Sequence, residues 1–138
     1  MIVFMDSSAL LKRYIEEHNS DKVELILEKA DDIIISPITL IEINSALKRR
    51  YFEKDIEKKD YEYLLDILLQ ENKEYSKIKF DIELEDKAVN LIDKYQIRTL
   101  DSIQLASAML SKCEMFVTAD RKLANFARSE GLKTELLD

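Results

Sequence analysis

Ile2-Val3-Phe4-Met5 is apolar at four consecutive positions and stops at a carboxylate, Asp6. A run without polar alternation suits a strand covered on both faces, the condition of a parallel sheet packed between helices. Asp6 then falls at the strand's carboxyl end, where open α/β sheets bind their ligands. Ser7 or Ser8 can cap a following helix whose apolar side is Leu10, Leu11, Tyr14 and Ile15. Asp6 can equally serve as that cap itself. The device recurs along the chain. Ile33-Ile34-Ile35 is a second short apolar run, and Met115-Phe116-Val117-Thr118 is a third that ends near Asp120.

Between these runs the apolar spacing is helical. Asn19 or Ser20 caps a helix over Val23, Leu25, Ile26 and Leu27. Ser36-Pro37 reads as the cap and first residue of a helix that turns Leu40, Ile43 and Leu47 inward. A helix over 55–70 places Tyr61, Leu64, Leu65 and Leu68 at i, i+3, i+4 and i+7. Tyr63, Ile67 and Leu69 widen its apolar surface, which suits either a protein contact or a deep core. Ile78 and Phe80 predict a strand, and Leu84, Ala88, Leu91, Ile92 and Tyr95 a helix. Thr99 is a cap for the next helix, whose Asp101, Gln104, Leu105 and Ala108 share one side. Residues 121–130 predict a helix ended by Gly131, and residues 132–137 a last edge strand. Strands alternating with helices give a three-layer α/β/α sandwich with a mainly parallel sheet, a single domain over residues 1–138.

Composition removes several kinds of chemistry. With one glycine and one proline, the chain has neither a dinucleotide fingerprint nor a P-loop. One cysteine, Cys113, excludes an internal disulfide and a cysteine-based zinc cluster. No apolar run approaches the ~20 residues of a membrane span, so no membrane partner is expected. The lone cysteine and the lack of a secretory leader fit the cytoplasm. Lys and Arg number 21 against 28 Asp and Glu, a net charge of −7 that speaks against gripping nucleic acid through bulk charge. A phosphodiester bridged by a metal ion stays compatible with it.

Four acids fall at strand exits or in early helical turns: Asp6, Glu42, Asp101 and Asp120. Each has an ordinary structural reading. Asp6 suits a cap, Glu42 the fourth position of the capping box begun by Thr39, and Asp101 the helix dipole. On an α/β sheet, four such positions can also converge at one end. Carboxylates brought together repel unless a cation joins them, and oxygen donors suit Mg²⁺ or Mn²⁺.

Met5-Asp6-Ser7-Ser8-Ala9-Leu10, Thr39-Leu40-Ile41-Glu42, Leu100-Asp101-Ser102-Ile103-Gln104-Leu105-Ala106-Ser107-Ala108 and Thr118-Ala119-Asp120 together resemble the successive motifs of the PIN domain, most closely its VapC-type toxin branch. The resemblance runs through essentially the whole chain, in order. It implies an Mg²⁺- or Mn²⁺-dependent endoribonuclease, the toxin of a toxin–antitoxin pair. It also implies that Asp6, Glu42, Asp101 and Asp120 form the catalytic and metal site. Thr118 matches the hydroxyl residue that helps hold the attacking water. An RNA substrate, a cognate antitoxin and a homodimer are implied partners. Lys12, Arg13, Arg49, Arg98, Arg121 and Lys122 are candidates for RNA phosphates, or else solvated surface charge. Gln104 stands where many relatives carry histidine. A non-catalytic PIN-fold module that binds RNA or protein is the alternative, and loss of an acid would have favoured it. A haloacid-dehalogenase-like phosphatase fits less well, because Ser8 stands where its second aspartate belongs.

Overall fold

Side-chain alternation along very short strands divides the core in two. The computed structural model describes residues 1–138. Strand β1 spans Ile2–Met5, β2 Asp32–Ile35 and β4 Met115–Thr118. Val3, Met5, Ile33, Ile35 and Val117 point to one face of the sheet. Phe4, Ile34 and Phe116 point to the other, with the rings of Phe4 and Phe116 stacked 5.9 Å apart. Both faces are therefore apolar, and both are covered.

The first face packs against α1 (Ser7–Tyr14), α2 (Ser20–Lys29), α3 (Thr39–Phe52) and α4 (Lys58–Glu71), through Leu10, Val23, Ile43, Leu47 and Leu68. The second packs against α5 (Ile82–Lys94), α6 (Thr99–Ser111) and α7 (Arg121–Ser129), through Leu84, Leu91, Leu105, Leu123 and Ala127. Ala106 and Ala108, both fully buried, let α6 lie close to the sheet. Gly131 ends α7 at φ +84°, a left-handed backbone that costs glycine nothing sterically.

All five strands are parallel, in the order β3-β2-β1-β4-β5, with β3 at Ser76–Lys77 and β5 at Thr134–Leu136. The chain winds outward from β1 to β3, then returns to the other side of β1 as β4. The carboxyl ends of β1 and β4 thus flank the switch point where such sheets open a crevice.

Three local expectations differ. Pro37 does not open α3; Ser36-Pro37-Ile38-Thr39 is a turn closed by Thr39 N–H on Ser36 O at 3.2 Å, and the helix begins at Thr39. The third strand lies at Ser76–Lys77 rather than around Ile78 and Phe80, because an exposed edge strand carries no burial pattern. The cap of α6 is Arg98, with Thr99 its first residue. The apolar surplus of α4 is partly absorbed: Tyr61, Leu64, Leu65 and Ile67 pack on the core, while Tyr63 and Leu69 stay exposed. No helix is long and apolar enough to cross a membrane.

Candidate active site

The four acids meet at the carboxyl edge of the sheet. Asp6, Glu42, Asp101 and Asp120 line one cleft of about 250 Å³, with Ser7, Ser8, Gln104 and Arg98 beside them. Four elements deliver them. Asp6 follows β1 and Asp120 follows β4, Glu42 sits in the first turn of α3, and Asp101 in the first turn of α6.

Asp6 is both a cap and a site residue. It is 2% exposed, and its Oδ1 accepts from the Ala9 N–H at 3.0 Å, capping α1. The hydroxyls of Ser8 and Thr118 donate to its two oxygens at 2.7 and 2.6 Å. Pairing of β1 with β4 continues one step past the strands, through Asp6 N–H to Val117 O at 3.0 Å, and this sets Thr118 beside Asp6. Burial nevertheless pushes the Asp6 carboxyl up to about 6, against those three donors, and the Asp120 charge acts in the same direction. Asp120 likewise caps α7, accepting from Leu123 N–H at 3.0 Å.

Asp101 is raised too, first by burial and then by the Asp120 charge, with Glu42 adding to it; Arg98, 3.4 Å away, opposes them. Glu42 does not close a capping box. Its Oε1 accepts from the Ser7 hydroxyl and from the Gln104 amide, each at 2.7 Å. Arg98 is the only cationic side chain among the lining residues, against four carboxylates. No three acids are yet gathered tightly enough to cage an ion. Each is held at its own station by a local partner, and mutual repulsion favours that spacing. The donor set is all oxygen and the local charge is negative, which fits a hard divalent cation that keeps part of its water.

Thr118 is fully buried, and its hydroxyl proton goes to Asp6 while its oxygen accepts from Asp120 N–H at 3.0 Å. It therefore orients the Asp6 carboxylate. Among the basic candidates, Arg98 lines the cleft, and Arg121 and Lys122 are exposed on the first turn of α7, Arg121 paired with Asp138. Arg49 is exposed near the end of α3. Lys12 and Arg13 are not brought to the site. Lys12 is 6% exposed and donates to His18 O at 2.7 Å. Arg13 pairs with Glu24 and Glu71 at the opposite edge of the sheet.

Ser7, Ser8 and Thr39 were legible in the sequence only as helix-start residues. In the structure they hold site carboxylates or the amide that holds one. Their signal was position: short hydroxyl side chains directly after a strand-end acid, or three before another.

The PIN domain family profile matches residues 3–129. Among solved structures, VapBC2 from Rickettsia felis, bound to a DNA fragment from its promoter, superposes with a TM-score of 0.69 at 21% identity, covering 100% of both chains. A toxin–antitoxin complex from Klebsiella pneumoniae gives 0.67 at 19% identity, covering 87% of this chain and 88% of that one. VapC20 of Mycobacterium tuberculosis, a toxin that cleaves the sarcin–ricin loop, gives 0.68 at 14%, covering 89% and 93%. No curated protein sequence matches significantly. With the profile spanning nearly the whole chain, this protein belongs to the PIN domain family.

Proposed function

We propose that this chain is a metal-dependent endoribonuclease, the VapC-type toxin of a toxin–antitoxin pair. The observation that carries the proposal is the convergence of Asp6, Glu42, Asp101 and Asp120 on one cleft at the switch point of the sheet. Similarity to VapC20 and to two toxin–antitoxin complexes supports it.

Asp6, Asp101 and Asp120, with Glu42, would hold Mg²⁺ or Mn²⁺. Such an ion lowers the pKa of an attacking water and relieves charge on the leaving oxygen of a phosphodiester. The chain's own groups prepare the rest. Ser8, Thr118 and the Ala9 N–H fix both oxygens of Asp6, so it cannot swing when substrate enters. Arg98 at the rim offers a phosphate contact, with Arg121 and Lys122 on the neighbouring helix start. Four carboxylates without a cation would repel a phosphodiester, so binding and cleavage both depend on the ion.

A small antitoxin and a second copy of the chain are the proposed protein partners. Apolar residues left in solvent support this: Phe52 and Tyr63 near α3 and α4, and Ile82, Val89 and Ile92 along one side of α5. Light scattering tests the dimer, and a clean monomer at tens of micromolar would refute it. The activity is tested by sequencing RNA ends after brief induction in cells. Discrete new ends are expected, and an unchanged RNA profile would refute the ribonuclease.

A further inference from the structure

One buried group at the site is costly and unexplained by packing. Gln104 is 2% exposed, and its Oε1 meets no hydrogen-bond donor. Leaving a buried carbonyl unpaired is destabilising, because its lost hydration is not replaced. A methionine would fill the same volume without that cost. The other end of the amide is heavily used. Its Nε2 lies 2.6 Å from Ser7 Oγ, 2.7 Å from Glu42 Oε1 and 3.2 Å from Thr39 Oγ1. A carboxylate only accepts, so one amide hydrogen is committed to Glu42. Rotating the amide would set two acceptors face to face, which fixes its orientation.

We infer that Gln104 is a positioning residue that pins Glu42 through Oε1, so that Oε2 is presented to the divalent cation. The inference rests on the metal-site reading above. Ser7 donates to the same Oε1, and the chain offers no donor to Oε2. One oxygen is thus anchored twice and the other left for a ligand. A neutral amide suits this task. Lysine or arginine would neutralise Glu42 and compete with the ion, whereas glutamine holds the carboxylate and leaves its charge intact.

Calorimetric titration with Mn²⁺ alone tests it, on wild type, Gln104→Met, Glu42→Gln and the double variant. Residues that orient metal ligands typically contribute 10–100-fold in affinity, and a loss in that range is expected for Gln104→Met. In the Glu42→Gln background the same change should cost less than about twofold, because the ligand it positions is gone. The metal-free melting temperature of Gln104→Met should not account for the loss. Should that variant fail to fold, Gln104→Asn withdraws the amide by one methylene and should lose affinity alike. Wild-type affinity in a folded Gln104 variant, or losses that multiply in the double variant, would overturn the inference alone. No Mn²⁺ binding by wild type would overturn it together with the metal-site reading.

Discussion

The sheet carries an acidic cleft at each end, and the two differ in kind. At the amino edge, Glu24, Glu28, Asp31, Asp32, Glu71 and Glu74 line a cavity of about 640 Å³ with Arg13, far larger than the carboxyl-edge cleft. Four of its six acids have a local partner, and Glu28 and Glu74 are exposed. Arg13 bridges Glu24 and Glu71 at 2.8 and 2.6 Å, Asp32 accepts from the Ser76 hydroxyl at 2.9 Å, and Asp31 pairs with the terminal ammonium. That ammonium holds Asp31 below the usual carboxylate range. At the carboxyl edge the shifts run upward, in Asp6 and Asp101, because burial is not compensated by cations. In the larger, more acidic cleft each acid is exposed or has a local partner, whereas the smaller one buries Asp6 with no cation paired to it. Burial of carboxylates without a paired cation, rather than acid count or cavity size, is what distinguishes the carboxyl-edge cleft.

The strongest way to break this contrast is activity. Glu42→Gln and Asp120→Asn should each lower RNA cleavage by at least about 100-fold in Mn²⁺, while Glu28→Gln and Glu74→Gln at the amino edge should stay within about twofold. Cleavage of total RNA by purified, folded variants measures this. An amino-edge loss as large as a carboxyl-edge one would erase the distinction.

Stability against pH sharpens it next. Below pH 3.8 Asp6 is protonated in the folded and unfolded chains alike. Between 3.8 and about 6 the folded chain keeps a proton that the unfolded chain has released, so stability falls as pH rises. The loss amounts to about 3 kcal/mol and levels off above about pH 6. Asp6→Asn should remove this slope and melt above wild type at pH 7–8 without metal. Urea unfolding from pH 4 to 8 measures both, and identical profiles for the two proteins would contradict the burial argument.

Mn²⁺ should then stabilise wild type by mass action, about 2.7 kcal/mol at a hundred times its dissociation constant. Thermal melts should rise by several degrees for wild type and by less for Asp6→Asn. The smallest effect belongs to the amino edge. Arg13→Met removes partly exposed ion pairs and should cost about 1 kcal/mol or less, fading with added salt and leaving cleavage unchanged.

The chain displayed its architecture where burial is complete. Ile2–Met5, Ile33–Ile35 and Met115–Thr118 read as short apolar strands, and all of these residues except Ile2 and Met115 are buried. Ser76–Lys77 was hidden because an exposed two-residue edge strand has no pattern to display. At the site, the acids were legible as strand-end and first-turn residues. Their roles were ambiguous for a physical reason: Asp6 and Asp120 each cap a helix and line the cleft at once. Gln104 was visible as a polar residue on an apolar helix side, but its bond to Glu42 joins residues 62 positions apart and only tertiary packing reveals it. Lys12 and Arg13 misled because sequence position near Asp6 says nothing of direction; α1 runs away from the carboxyl edge and carries them with it.

Anomalous diffraction from crystals soaked in Mn²⁺ tests the central claim most directly, since both clefts are then offered the same ion. A peak is expected in the carboxyl-edge cleft, about 2 Å from carboxylate oxygens of Asp6, Asp101 and Asp120 and near Glu42, and none at the amino edge. A peak among Glu28, Asp31 and Glu74 instead, or no peak in the carboxyl-edge cleft at saturating Mn²⁺, would contradict it.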